Sequence, residues 1–155
     1  MRLKRFNLDT SAVITFVSNM TYGVIRRTKS WEMAVKNDTY RPLLGYLTGK
    51  GFYPFSEKEF VICEAVRKEV VDILSYGDLL EQQRYYQLNI NVIPDVDDLT
   101  IKLSRRVQAT DRIFIATGES LGLQSITADR KLVSVLHSTN LKPNVIVIPP
   151  RSLTC

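Results

Sequence analysis

The chain has 155 residues, with 21 Lys or Arg, 16 Asp or Glu and a formal net charge of +5 at pH 7. This length is typical of one domain with one core, and 45% hydrophobic with 24% charged residues excludes a disordered chain. The apolar runs are far shorter than the roughly 20 residues of a membrane helix, so we expect no membrane span. The two cysteines cannot cross-link a scaffold, which favours an intracellular protein of the cytoplasm or nucleus.

Hydrophobic periodicity predicts strands and helices in alternation, which is typical of an α/β domain with a mostly parallel central sheet. The predicted strands cover residues 5–8, 60–63, 91–93, 124–127 and 145–148. The predicted helices cover residues 11–20, 42–47, 64–74, 97–107, 110–121 and 129–137. We expect a capping residue at the start of the helix over 110–121.

Several familiar site motifs are incomplete in this sequence. The stretch from Gly45 to Gly51 resembles a phosphate-binding loop, but it has one residue too few between its glycines and lacks the Ser or Thr that would bind magnesium. A nucleophilic triad needs a histidine, and the single one, His137, falls late in an amphipathic helix. No Cys/His cluster suggests zinc. The remaining chemistry is that of carboxylates.

Three aspartates stand where predicted strands pass into helices. Asp9 closes the first strand, Asp111 opens the helix over 110–121, and Asp129 follows the strand over 124–127. Ligands gather at the carboxyl ends of parallel strands, so we expect the three to converge on one rim. Each alone could be a helix cap. Together they would repel one another unless a cation neutralised them, and oxygen ligands suit Mg²⁺ or Mn²⁺.

These segments resemble the PIN domain, a family of metal-dependent nucleases. The resemblance rests on Asp9-Thr-Ser before an apolar helix, on the helix-opening Asp111, and on Thr127-Ala-Asp129 after a strand. Other sequence segments are similar to the C-terminal PIN-like domain of a poorly characterised eukaryotic family. These segments are Val17-Ser-Asn-Met-Thr-Tyr-Gly23, Ile113-Phe-Ile-Ala-Thr-Gly-Glu-Ser-Leu121 and Pro150-Arg-Ser-Leu-Thr154.

The resemblance implies a single PIN-like domain over residues 1–155, a three-layer α/β/α fold with a segment inserted around residues 21–57. It also implies a second acid in the helix after the second strand, for which we choose Glu69 and keep Glu64 in reserve. The implied catalytic residues and ligands of Mg²⁺ or Mn²⁺ are Asp9, Glu69, Asp111 and Asp129. The implied reaction is endonucleolytic hydrolysis of RNA that leaves a 5′-phosphate and a 3′-hydroxyl. We expect Ser11 and Thr127 to hydrogen-bond the carboxylates or a metal-bound water.

The excess of basic over acidic residues is compatible with a polyanionic partner. Under the nuclease interpretation, this partner is single-stranded or structured RNA. The candidate phosphate contacts are Arg105, Arg106, Arg112, Arg130 and Lys131. The candidate stacking residues for unpaired bases are Tyr22, Trp31, Tyr40, Tyr53, Tyr85 and Tyr86. An inhibitory or scaffold protein and a homodimer are further expected partners.

Two other interpretations stay open. A PIN-like module could bind RNA or a protein without cleaving, because the match to the family is imperfect around Glu69 and Leu132. An unrelated receiver-like α/β domain would need an acidic pair at its first strand, where Asp9 stands alone.

Overall fold

The computed structural model describes residues 5–22, 60–88, 90–96, 107–137 and 145–147. Five strands and five helices follow one another within these ranges. In chain order they are β1 (Phe6–Leu8), α1 (Thr10–Tyr22), β2 (Phe60–Cys63), α2 (Glu64–Ser75), α3 (Leu79–Leu88), β3 (Asn91–Ile93), α4 (Ala109–Leu121), β4 (Gln124–Thr127), α5 (Arg130–His137) and β5 (Val145–Val147).

The five strands form one sheet in the order β3-β2-β1-β4-β5, and every described pair is parallel. In the centre, Phe6 of β1 lies opposite Phe60 of β2 on one side and Gln124 of β4 on the other. The chain therefore moves outward from β1 to β3 and then returns across the sheet to β4. The strand order reverses between β1 and β4, and this switch point is where open parallel sheets bind their ligands.

Helices cover both faces of the sheet. Phe16 of α1 packs on Phe60 with ring centroids 5.6 Å apart, and Phe6 lies 6.1 Å from the same ring. Because neighbouring strand residues point to opposite faces, Asn7 faces the other way, where its Nδ2 donates to the Phe114 carbonyl of α4 at 2.9 Å. The predicted α/β class and its three-layer α/β/α arrangement are confirmed.

The contact between α4 and the sheet requires a glycine. A Cβ at Gly118 would lie 2.2 Å from the Ser125 Oγ and 3.0 Å from the Asn7 Nδ2. Those two side chains are hydrogen-bonded to each other at 3.1 Å in the interior. The helix therefore approaches β1 and β4 more closely than any side chain would permit.

We expect Gly118→Ala to lower the free energy of unfolding by about 1–3 kcal/mol, because the added methyl group displaces the Ser125 hydroxyl and strains the buried contact. Chemical denaturation of both proteins measures the difference. Gly77→Ala is the matched control, since a Cβ there meets no atom closer than 3.5 Å. Equal losses in the two variants would contradict the close-approach explanation.

The structure differs from the predicted elements in two main places. Helix α3 was not predicted, because it buries Glu81, Tyr85 and Leu88 while Leu79 and Leu80 stay exposed, which reverses the usual apolar pattern. The predicted capping residue of α4 is wrong, since the helix begins at Ala109 and Gln108 before it makes no side-chain cap bond. The predicted strands end within one residue of the observed ones.

The C-terminus of α4 is closed by a left-handed glycine. Gly122 has φ of 64°, its N–H donates to the Glu119 carbonyl, and the Leu123 N–H donates to the Gly118 carbonyl at 2.9 Å. This pair of bonds is the Schellman ending that turns the chain directly into β4.

Some predictions fall outside the described residues. They are the helix over 42–47, the helix over 97–107 apart from its last residue, and nearly all of the inserted segment over 21–57. No helix within the described ranges combines the length and the apolar character needed to cross a membrane.

Candidate functional site

The carboxyl ends of β1 and β4 open into a cleft of about 420 Å³. Its walls come from the starts of α1, α4 and α5 and from the middle of α2. The lining residues are Asp9, Thr10, Ser11, Ile14, Thr15, Glu69, Ile73, Gln108, Asp111, Ala128 and Asp129. The structure thus brings all four predicted acids to one cleft, from segments that are distant in the sequence.

Asp9 is the most buried of these acids, with 3% of its surface exposed. It follows β1 directly and caps α1, since its Oδ1 accepts a hydrogen bond from the Ala12 N–H at 2.8 Å. Burial raises the pKa of this carboxyl from 3.8 to about 7, and the Asp111 charge adds to the rise. Hydrogen bonds from Thr127, Ala12 and Ser11 oppose it.

Two hydroxyl groups hold the Asp9 carboxylate in place. Ser11 Oγ donates to its oxygens at 2.8 and 3.0 Å, and Thr127 Oγ1 donates to Oδ2. The same hydroxyls accept from the backbone of the turn after β4, where the Ala128 N–H reaches Ser11 and the Asp129 N–H reaches Thr127. Ser11 and Thr127 therefore make the carboxylate hydrogen bonds expected of them and join the ends of β1 and β4.

Asp111 and Asp129 both line the cleft, and the charge of Asp129 affects the ionisation of Asp111. Asp111 lies in the first turn of α4, and partial burial raises its pKa from 3.8 to about 6, with further contributions from Asp129 and then Glu69. Asp129 also caps α5, because its Oδ1 accepts from the N–H groups of Lys131 and Leu132 at 2.9 and 3.2 Å. Asp129 is therefore a helix cap, as one interpretation of the sequence proposed, and it also lines the cleft.

The second acid of the cleft is Glu69 and not Glu64. Glu69 lines the cleft from one side of α2 and contributes to the raised pKa of Asp111. Glu64 pairs with Arg67 three residues later on the same helix, and that pair is about one-third exposed. The salt bridge lowers the pKa of Glu64. Glu64 is therefore a helix-surface residue in this structure.

The predicted RNA contacts are distributed unevenly. Arg130 and Lys131 are exposed at the start of α5, immediately after Asp129. Arg112 follows Asp111 but does not line the cleft, and its Nε is buried without a hydrogen-bond partner among the described residues. Arg105 and Arg106 lie outside the described residues.

The structure describes only some of the aromatic residues predicted to stack on bases. Tyr85 is only 7% exposed and packs in the core, so its prediction as a stacking residue is wrong. Tyr86 beside it is 66% exposed. The Tyr22 side chain and the predicted positions 31, 40 and 53 lie outside the description. Tyr76, which was not among the predicted stacking residues, is 87% exposed. It lies just beyond the amphipathic helix α2, seven residues after Glu69.

The donor set of the cleft fits a hard divalent cation. All four acids offer carboxylate oxygens, the ligands preferred by Mg²⁺ and Mn²⁺, and the raised pKa values of Asp9 and Asp111 reflect negative charge that is poorly solvated. As the side chains stand, no three His, Cys, Asp or Glu residues in the described part of the chain form a group that could hold one metal ion. The acids share a cleft without meeting at a single point.

The fold and the cleft together define an α/β protein with an acidic cleft at the switch point of a parallel sheet. Over residues 6–155, the chain matches the family described as Protein of unknown function (DUF1308). The match covers nearly the whole sequence, and the chain belongs to this family. Because the family description states no activity, a function has to be inferred from the residues of the cleft.

Proposed function

We propose that the protein is a divalent-metal-dependent endoribonuclease with a PIN-like catalytic domain. The observation that carries the proposal is the convergence of Asp9, Glu69, Asp111 and Asp129 on one cleft at the switch point of the sheet. Four separate segments supply these acids. Helix capping accounts for the positions of Asp9 and Asp129 but not for Glu69, which lies in the middle of α2.

The energetics of the cluster favour a bound cation. Burial and mutual repulsion keep the pKa of Asp9 near 7 and that of Asp111 near 6, so their ionised forms cost stability near neutral pH. A divalent ion would remove much of that cost by neutralising the charge. Asp9, Glu69, Asp111 and Asp129 would hold Mg²⁺ or Mn²⁺.

When bound, such an ion would lower the pKa of a water molecule and balance charge on a phosphodiester. The protein's own contribution is positioning. Ser11 and Thr127 donate to Asp9 and fix the direction of its carboxylate. The backbone N–H bonds to Asp129 similarly restrict its rotation. Carboxylates fixed in this way would hold reactants in one geometry and reduce the entropy lost on binding.

RNA as the substrate is supported by the charge of the chain and by the PIN resemblance. The net charge is +5 although at least four of the 16 acids line one cleft, so basic groups dominate elsewhere. Arg130 and Lys131 adjoin Asp129 and are exposed to solvent. Phosphate contacts of this kind are independent of base sequence and weaken with salt. An RNA substrate would place the protein in the cytoplasm or nucleus.

Incubation of the purified protein with labelled single-stranded and structured RNA tests the proposal. We expect internal cleavage with Mn²⁺ or Mg²⁺, none with EDTA, and products that end in a 5′-phosphate and a 3′-hydroxyl. Cleavage in EDTA would contradict the metal requirement. Tight binding that EDTA does not change, with no cleavage under any condition, would instead favour a PIN-like module that holds RNA without cutting it.

A further inference from the structure

One side of α2 carries an apolar surface that begins inside the cleft. Glu69 and Ile73 both line the cleft, and Tyr76 follows three residues after Ile73, just past the end of the helix. Spacings of four and three residues put all three on one side of α2. Ile73 is 45% exposed and Tyr76 is 87% exposed. We call Ile73 and Tyr76 the α2 strip.

We propose that the α2 strip is a nucleobase subsite, in which one base of an RNA strand held at the cleft packs on Ile73 and stacks on the Tyr76 ring. The inference rests on the proposed nuclease function and adds two substrate-contacting residues to it. Exposed tyrosines stack on bases of any sequence because every base has a π face. Ile73 belongs to the same cleft wall as Glu69, so a strand leaving the acids along α2 would reach Ile73 first and Tyr76 next.

The distance along α2 fits this arrangement. Seven residues of helix correspond to about 10 Å, which is roughly two to three stacked nucleotides. Ile73 lies between Glu69 and Tyr76 and is itself part of the cleft wall. The base on Tyr76 would therefore belong to a nucleotide about two or three positions from the phosphate at the acids.

The charges around Tyr76 favour a base over a phosphate. Asp72 and Asp78 are both exposed, four residues before and two residues after Tyr76. Their carboxylates would repel a phosphate group but not a neutral ring. Contact at the α2 strip should therefore depend on the base, and should respond to salt much less than contacts from Arg130 and Lys131.

Steady-state cleavage of a single-stranded oligonucleotide with one cleavage site tests the subsite. We expect Tyr76→Ala to raise KM by about 5- to 100-fold with kcat nearly unchanged, and Tyr76→Phe to restore most of the loss. Leu121→Ala is the control, because Leu121 is a 50% exposed side chain at the end of α4 that does not line the cleft. A thermal melt of each variant verifies folding.

Abasic nucleotides placed one at a time along the same substrate provide the sharper readout. At one position near the cleavage site, removal of the base should raise KM for the wild type and have no further effect in Tyr76→Ala. Additive effects at every position would overturn the subsite, as would an unchanged KM in Tyr76→Ala. A wild-type protein that neither binds nor cleaves the oligonucleotide would overturn the nuclease function and the subsite together, whereas normal cleavage by Tyr76→Ala would overturn the subsite alone.

Discussion

Asp111→Asn should lower metal-dependent RNA cleavage by about 10²- to 10⁴-fold. The charges of Asp129 and Glu69 both raise the pKa of Asp111, so its carboxylate interacts with two of the other acids of the cleft. The amide keeps the size of the side chain but removes a negative charge and an anionic ligand. A metal site contributes several kcal/mol to catalysis, and each 1.36 kcal/mol corresponds to tenfold in rate. Single-turnover cleavage of labelled RNA in Mn²⁺ measures the loss.

Glu64→Gln is the matched control for this series. Glu64 lies on the same helix as Glu69, but it pairs with Arg67 and does not line the cleft. We expect Glu69→Gln to impair cleavage substantially and Glu64→Gln to change it less than twofold. Full cleavage activity in both Asp111→Asn and Asp129→Asn would show that RNA is cleaved at a site other than this cleft.

Asp9→Asn should stabilise the metal-free protein near pH 8 while it abolishes cleavage. The folded-state pKa of Asp9 is raised from 3.8 to about 7, so the folded protein holds a proton that the unfolded chain has already released. Stability from this group is therefore present below about pH 4 and is lost as the pH rises to about 7. The full loss is about 4 kcal/mol at 1.36 kcal/mol per pKa unit. An asparagine at this position carries no charge, so the variant would not lose this stability as the pH rises.

Urea denaturation in EDTA at pH 5 and at pH 8 measures this effect. We expect the wild type to be less stable at pH 8 than at pH 5, and Asp9→Asn to show a much smaller difference. Asp72→Asn serves as the control, because Asp72 is exposed on α2 outside the cleft. A stability of Asp9→Asn below that of the wild type at pH 8 would contradict the cost assigned to the buried carboxylate.

Much of the site could be predicted because it depends on topology. The strands that precede Asp9 and Asp129 were predictable from short apolar runs, and carboxyl ends of neighbouring parallel strands share one edge of a sheet. Asp111 required only the recognition of a helix start. Glu69 was separable from Glu64 only through the family resemblance, since the charge pattern of α2 alone does not show which glutamate faces inward.

Other features depend on tertiary packing and leave little trace in the sequence. Helix α3 buries a glutamate and exposes two leucines, so its periodicity misled the prediction. Tyr85 and Tyr86 are neighbours in sequence, yet one is in the core and the other is exposed. The burial that raises the pKa of Asp9 arises where β1, α1 and the turn after β4 meet. Such burial depends on contacts between residues more than 100 positions apart.

Binding of Mn²⁺ to the RNA-free protein tests the central claim most directly, because it depends on the acids of the cleft and not on the choice of substrate. Isothermal titration of the wild type, Asp111→Asn and Glu64→Gln at pH 7.5 would compare the cleft with the helix surface. We predict saturable binding to the wild type and to Glu64→Gln, and at least tenfold weaker binding to Asp111→Asn. No binding to the wild type, or equal binding to all three proteins, would contradict a divalent-cation site formed by Asp9, Glu69, Asp111 and Asp129.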